Sequence, residues 1–404
     1  MDPVIWDWLS FALRWLHVVA VIAWIGSSFY FIAVDLGLRK REGMPDGVHG
    51  EEWQVHGGGF YHIQKYMVAP AQMPEHLTWF KWESYGTWLS GFALLGVVYY
   101  AGAELMLIDA TVMALAPWQA IAISLAGLFL GWLVYDGLCR LFVSNDRLAF
   151  ALLFVFFIAL TWGFTQVFSG RGAYIHAGAV IATIMTANVL MIIIPGQKKV
   201  VAALLAGETP DPALGQRAKQ RSTHNNYLTL PVIFLMLSVH YPLAFATRWN
   251  WLIVALVLVM GVVIRHFFNT MHARRGHPWW TWGVAAACFA AIVWLSTFAP
   301  LPVGDEAADA GAQPPARTVA FDDVRDIVVG RCAMCHAAEP GWEGLAGAPK
   351  GVAFDTDAEI RRHARDIYLQ AVRSTAMPPG NVSYMTHAER RQLAVWYTGQ
   401  VAAH

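Results

Sequence analysis

Long apolar runs alternate with short polar ones over the first three-quarters of the chain, and this alternation predicts a bundle of membrane-crossing helices. A helix needs about 20 predominantly apolar residues to cross the ~30 Å hydrocarbon layer of a bilayer. Eight runs meet that length: residues 9–38, 87–106, 118–139, 148–168, 173–194, 227–247, 249–268 and 279–299. The first is not a cleavable signal peptide, because it is too long, starts beside Asp2 and Asp7, and lacks a small-residue cleavage site. Trp6, Trp8, Trp249, Trp251, Trp279 and Trp280 cluster at the ends of runs, as interfacial aromatic belts do.

The polar segments set the orientation. Arg39, Lys40, Arg41, Lys65 and Lys81 follow the first run, and Arg140 and Arg147 the third. Lys198, Lys199, Arg217, Lys219 and Arg221 follow the fifth, and Arg274 and Arg275 the seventh. The alternate loops carry only Arg171 and Arg248. Positive charge stays on the cytoplasmic side, so both termini are expected outside, on the periplasmic face of a bacterial inner membrane. With 57% hydrophobic and 14% charged residues, the composition excludes an ordinary soluble domain. The net charge of zero gives no reason to expect a nucleic-acid partner; the expected surroundings are the lipid bilayer.

The pattern changes at the end of the eighth run. Residues 300–320 are rich in Ala, Pro and Asp with no hydrophobic period, which predicts a flexible tether. Residues 321–404 then form a second, small unit. It contains Cys332-Ala-Met-Cys335-His336, the C-x-x-C-H spacing of covalent haem c attachment. Two thiols at this spacing can each form a thioether to a porphyrin vinyl group, and the adjacent imidazole reaches the iron. Met377, in Ala-Met-Pro-Pro-Gly, is the candidate for the opposite axial position, as in class I cytochromes c. A redox dithiol or half a zinc site is disfavoured, since no second Cys pair follows and His336 is adjacent. Thr386 and Glu389 predict a capping box opening a terminal helix with Leu393, Trp396 and Tyr397 on one face. Haem attachment occurs on the outer membrane face, in agreement with the charge asymmetry. The expected fold is therefore all-α: eight transmembrane helices (1–299), a linker (300–320) and a class I cytochrome c domain (321–404). Cys139 and Cys288 read as buried small hydrophobes.

Ionisable residues within the runs call for a functional explanation. His17, His176 and His240 fall at matched depths in the outer half of three runs. Two imidazoles would serve a haem b, and three would hold copper; the alternative is three separate histidines hydrogen-bonded within the bundle. Arg14, one turn from His17, suits a haem propionate. On the cytoplasmic side, the segment from His56 through His62, Lys65 and His76 to Glu83 is too polar, aromatic and long for a plain connector. Opposite it lie His224-Asn225-Asn226-Tyr227, and Arg265-His266 with Asn269. Each alone reads as a helix cap or interfacial anchor; together they suit a planar anion, held by an arginine fork and amide donors.

Four stretches sharpen the reading: Pro-Glu-His-Leu-Thr-Trp-Phe-Lys-Trp-Glu-Ser-Tyr-Gly-Thr-Trp-Leu-Ser-Gly-Phe at 74–92, Arg-Gly-Ala-Tyr-Ile-His at 171–176, Asn188 with Ile-Pro-Gly-Gln at 194–197, and His-Asn-Asn-Tyr-Leu-Thr-Leu-Pro at 224–231. Followed by a C-x-x-C-H unit, they resemble the membrane-bound, cytochrome c-linked urate oxidases (urate hydroxylases) of bacterial purine catabolism, over essentially the whole chain. The resemblance implies oxidation of urate to 5-hydroxyisourate, with electrons passed through the fused haem c to a respiratory cytochrome or terminal oxidase instead of forming hydrogen peroxide. It makes Arg265, His224 and Asn225 candidates for charge and in-plane hydrogen bonds to the urate anion. His62, His76 or Glu83 are candidates for accepting a proton as water adds. More faintly, Arg-Trp-Leu-His17 with Ala-Trp-Ile-Gly26 is similar to the first helix of membrane protoporphyrinogen oxidases, where such a histidine binds haem. The competing readings are a membrane anchor and electron-transfer subunit serving a separate dehydrogenase, and a metal or haem transporter; no internal half-repeat supports the transporter.

Overall fold

The structure, a computed structural model, describes residues 3–66, 73–143, 145–297 and 319–402. The expected tether at 300–320 lies almost wholly outside the described residues. Helices form at every apolar run, but with a different division from the expected one. Six described helices are long and apolar enough to cross a membrane: Val4–Gly37, Pro117–Leu141, Asp146–Thr165, Gly170–Leu205, Asn250–His272 and Trp280–Thr297. The first belongs to α1 (Pro3–Gly37), whose Ile5, Trp8, Phe11, Trp15, Val18 and Ile22 are all exposed. A helix this apolar and this exposed has the surface of a membrane-associated protein.

The other two expected spans are helices of another kind. One is α2 (Trp82–Leu94), which runs on through a π-helical turn at Leu95–Tyr100 to the short α3 (Ala103–Met106). The other is α8 (Pro212–Ser238), fifteen residues longer at its start than the sequence run. Its first half, with Arg217, Lys219, Gln220 and Arg221, is polar. The apolar run marked only its second half, although Ala218, Arg221, His224 and Asn225 ahead of it are buried too.

The remaining helices of the bundle are α4 (Pro117–Leu141), α5 (Asp146–Thr165), α6 (Gly170–Ala187), α7 (Ile194–Leu205), the short α9 (Pro242–Phe245), α10 (Asn250–His272) and α11 (Trp280–Thr297). A second π-helical turn, Asn188–Ile193, joins α6 to α7. Helix α6 is central: Tyr174, His176, Val180, Ile181 and Ile184 are wholly buried, and it packs against α4, α5 and α8. The main core gathers these side chains with Leu107, Tyr135, Phe168 and Leu235.

The polar segment after α1 is not a loop but an antiparallel hairpin, which corrects the all-α expectation. Strands β1 (Val48–His56) and β2 (Gly59–Tyr66) pair with Trp53 opposite His62. Gly57 and Gly58 turn the chain with φ of 58° and 80°, the left-handed pair that a two-residue hairpin requires. Arg39 ties the hairpin to the bundle: its N–H donates to the Glu51 carbonyl (2.9 Å), and its guanidinium donates to the Ala273 carbonyl (2.9 Å). The ends of α1 and α10 therefore meet at this hairpin end.

The C-terminal unit comprises α12 (Phe321–Cys332), α13 (Asp357–Arg362), α14 (Ala364–Ile367) with a π-helical turn at Tyr368–Arg373, and α15 (His387–Ala402). It has its own core of Val324, Val328, Phe354, Ile360, Leu393 and Trp396. The expected capping box closes: Thr386 N–H donates to Glu389 Oε2 (2.7 Å), and Glu389 N–H to Thr386 Oγ1 (3.2 Å). The unit sits on the end of the bundle opposite the hairpin. Thr375 N–H donates to the Ala246 carbonyl (3.3 Å), and Ala376 packs into the main core of the bundle. Gly380 has φ of 55°, and a Cβ there would collide with the Ile108 and Glu104 carbonyl oxygens. That seat accepts a hydrogen atom and nothing larger.

Candidate functional site

In the C-terminal unit, α12 ends at Cys332, and the turn that follows brings Cys335 and His336 back over it, with His336 N–H donating to the Cys332 carbonyl (2.8 Å). Both cysteines are free thiols, and burial pushes Cys332 up to about 12. His336 Nδ1 lies 2.8 Å from the Val352 carbonyl, an arrangement that fixes the proton on Nδ1 and leaves the Nε2 lone pair for a metal. The ring leans on Phe354, with centroids 5.3 Å apart. The Met377 segment is held from behind by the buried Arg390, whose guanidinium donates to the carbonyls of Met377 (2.9 Å) and Ala371 and to Asn381 Oδ1 (3.4 Å). Two cysteines, one oriented imidazole and a braced methionine segment are the residues that would hold a covalent haem. Bound there, such a group would accept and release single electrons.

At the hairpin end, the structure brings some of the expected residues together. His224 Nδ1 meets the Tyr135 hydroxyl at 2.9 Å. Asn188, first residue of the π-helical turn, donates to Tyr135 Oη and Asn225 Oδ1, both at 2.9 Å. Asn225 in turn donates to the Met185 carbonyl (2.9 Å). Arg221, 3% exposed, pairs with Asp136 at 2.6 Å and lies over the Tyr135 ring. Arg265 belongs to a neighbouring set, donating to Asn226 (3.4 Å) and Asn269 (3.1 Å) and covering the Phe29 ring. Successive helical residues point about 100° apart, which is why His224, Asn225 and Asn226 serve different partners. The cavity that His224 lines with Phe150, Tyr227 and Pro231 holds about 20 Å³. That is room for one water, far short of a purine. His224 and Asn225 therefore belong to a buried hydrogen-bonded network with little space beside it, in which Asn188 Oδ1, Arg221 Nε and Nη1, and Asn226 Nδ2 have no partner among the described residues.

His62, His76 and Glu83 do not join it. His62 stacks on Trp53 (4.1 Å) and pairs with Glu51 (2.8 Å), and that hydrogen bond, with Arg41 nearby, holds the Glu51 carboxyl below the usual range. His76 is exposed ahead of α2, and Glu83 occupies the first turn of α2. Tyr135, Asp136 and Arg221 are the members that sequence reasoning missed. An Asp within an apolar run was the available signal.

The three histidines at matched depth are held separately. His17 Nδ1 lies 3.1 Å from the Thr87 carbonyl and 3.1 Å from Ser90 Oγ, leaving Nε2 free, as an axial ligand requires. The glycine behind it is needed, since a Cβ at Gly91 would sit 2.8 Å from His17 Cε1. His17 thus fits one axial position of a haem b. His176 does not offer the second: Nε2 meets Ser124 Oγ at 2.6 Å and Nδ1 the Gly172 carbonyl at 2.7 Å, inside a cage of Tyr99, Phe164 and Phe168. His240 lies in the turn after α8 and is exposed. Among the described residues no three His, Cys, Asp or Glu side chains gather into a metal site, so the copper arrangement is not formed.

A further cavity, of about 440 Å³, lies at the seam between the bundle and the C-terminal unit. No curated protein and no solved structure matches the chain. A family model described as urate oxidase N-terminal matches residues 3–296, the whole bundle with its hairpin, and the chain belongs to that family.

Proposed function

We propose that this protein oxidises urate to 5-hydroxyisourate at the membrane and delivers the electrons to a haem c held by its own C-terminal unit. The observation that carries the reading is the docking of the Thr375–Gly380 segment, which contains Met377, onto a bundle of the urate oxidase family. Neutral urate and water yield 5-hydroxyisourate, two protons and two electrons. A haem c held by Cys332, Cys335, His336 and Met377 would supply one-electron acceptance, so the two electrons of each turnover would leave singly, toward a respiratory cytochrome or terminal oxidase.

The protein's own residues have two tasks in this scheme. Arg390 holds the Met377 segment, and the Val352 carbonyl fixes the His336 tautomer. The Tyr135–His224–Asn188–Asn225 network stiffens the joint between α4, α6 and α8. The orientation expected from charge is supported by placement: Arg39, Arg140, Arg274 and Arg275 lie at the hairpin end, opposite the C-terminal unit. That unit therefore faces the periplasm, where haem c is attached.

The test uses purified full-length protein. Anaerobic urate should reduce the haem, ultraviolet absorbance of urate should fall, and aerobic turnover should give no stoichiometric hydrogen peroxide. Urate that leaves an intact, dithionite-reducible haem oxidised would favour the anchor and electron-transfer subunit, a reading to which the buried network around His224 also lends support.

A further inference from the structure

We propose that the urate anion binds in the cavity between the bundle and the C-terminal unit, a deepening that rests on the function proposed above. The first argument is room. At about 440 Å³ the cavity falls within the ~300–1,000 Å³ of small-molecule sites, whereas the one beside His224 holds about 20 Å³.

The second argument is charge. Arg171, Arg248 and Arg373 line the cavity, against a single acid, Asp109. Arg171 meets Met106 Sδ (3.4 Å) and the Phe245 ring (5.3 Å), and Arg248 lies over Trp249 (4.7 Å). None of the three has a carboxylate partner among the described residues. Asp109 accepts from Thr111 N–H at 2.9 Å and keeps its charge, so the lining carries three cationic side chains against one anionic. Three arginines around one cavity, none in an ion pair among the described residues, suit a planar anion, which guanidinium groups can engage by parallel N–H donation. Arg171 also lies in the first turn of α6, where the helix dipole adds to the positive potential. Trp162 and Trp251 on the wall supply flat surfaces suited to a purine ring.

The third argument is composition of the site. Arg171 and Arg248 come from the bundle and Arg373 from the C-terminal unit, so the receptor is complete only when the two are docked. Ala376 and Pro379, which flank the Met377-Pro378 pair, form part of the same wall. An anion bound there lies against the segment that carries the iron's methionine ligand. Electrons leaving the purine then have a direct path to the haem, with no crossing of the membrane.

Equilibrium dialysis of radiolabelled urate against full-length holoprotein tests this, alongside anaerobic haem reduction by urate. Arg171→Gln, Arg248→Gln and Arg373→Gln should each raise the urate Kd and KM about tenfold or more, the usual loss for one charge-assisted hydrogen bond. Arg373→Lys should recover part of it. Haem content and reducibility by dithionite should match wild type in each; if Arg171→Gln loses them through misfolding, the exposed Arg248 and the C-terminal Arg373 still decide the matter. Wild type that binds and oxidises urate, with all variants within twofold in Kd and KM, overturns this site and leaves the function standing. Wild type that neither binds nor oxidises urate overturns both.

Discussion

Two polar regions occupy opposite ends of one helix bundle, built from the same materials to opposite effect. Around Tyr135, the Arg221 guanidinium lies over an aromatic ring and pairs with Asp136 at 2.6 Å, while amides and an imidazole crowd the ring. Asn188 Oδ1 and Arg221 Nε and Nη1 have no partner among the described residues, but the neighbouring cavity has room for one water only. At the seam with the C-terminal unit, Arg171 and Arg248 also lie over aromatic rings, but neither is ion-paired among the described residues, and they line a cavity of about 440 Å³ in which Asp109 is the one acid. A buried cation with its own counter-ion holds helices together. A group of cations outside any ion pair and beside open space is arranged for a ligand that brings the missing charge. Polarity alone does not mark a binding site in a membrane protein; uncompensated polarity with room does.

The contrast can be broken most severely at the acceptor. Replacing both Cys332 and Cys335 with Ala should abolish covalent haem and, with it, urate-driven electron transfer, as read by haem staining of a denaturing gel and by urate absorbance. Persisting urate turnover without covalent haem would detach the seam from the chemistry altogether.

The ion-paired region should respond in stability instead. Asp136→Ala strands Arg221, and breaking a buried ion pair from one side costs about 3–5 kcal/mol. The thermal melting midpoint of the holoprotein should fall by several degrees, while the urate KM of the surviving folded protein stays within about twofold. A KM rise as large as that of the Arg373 variants would place substrate at the hairpin end after all.

A narrower effect is expected at the iron. Met377→Ala should remove the weak near-infrared methionine–iron charge-transfer band while the haem stays covalently attached. An unchanged band would assign the sixth ligand to another residue.

The smallest effect lies outside both regions, in the hairpin. Because His62 holds the Glu51 carboxyl below its ordinary value of 4.5, the ionised form stabilises the folded hairpin. That contribution is complete above pH 4.5 and is lost as pH falls through the lowered value. Protection factors of the β1 and β2 amides, with the pH dependence of intrinsic exchange divided out, should therefore fall on acidification below that range, and Glu51→Gln should flatten the dependence. Identical acid profiles for the two proteins would show that the pair contributes nothing.

Much of this architecture was legible in the chain. Each apolar run fell on a helix, because a long apolar segment satisfies its backbone most simply that way, but only six of the described helices are long and apolar enough to cross a membrane, and α7 lay almost wholly outside the runs. Spacing alone brought Cys332, Cys335 and His336 together, since a motif within one turn needs no tertiary information. The hairpin was misread although Trp53, Val55 and Phe60 alternate with polar residues around Gly57-Gly58; the polar composition hid a strand signal. Helix α8 was cut short because its first half carries charges that an apolar window excludes. The depth argument for His17, His176 and His240 failed for a geometric reason: depth is one coordinate, and the position around the bundle comes only from packing. The seam was invisible for the same reason, as Arg171, Arg248 and Arg373 converge only when two separately folded units meet.

The hydrogen-only seat of Gly380 against the Ile108 and Glu104 carbonyls has a kinetic meaning. An acceptor locked in place turns electron delivery into a first-order event: its rate depends neither on protein concentration nor on a diffusional search, and added salt does not screen it as it would an encounter between two proteins. The second-order step is displaced outward, to whatever molecule collects the electron from the far side of the unit, where Val329 and Met334 remain uncovered. If the unit carries the haem proposed above, partner concentration should govern its reoxidation and leave its reduction by already bound urate untouched.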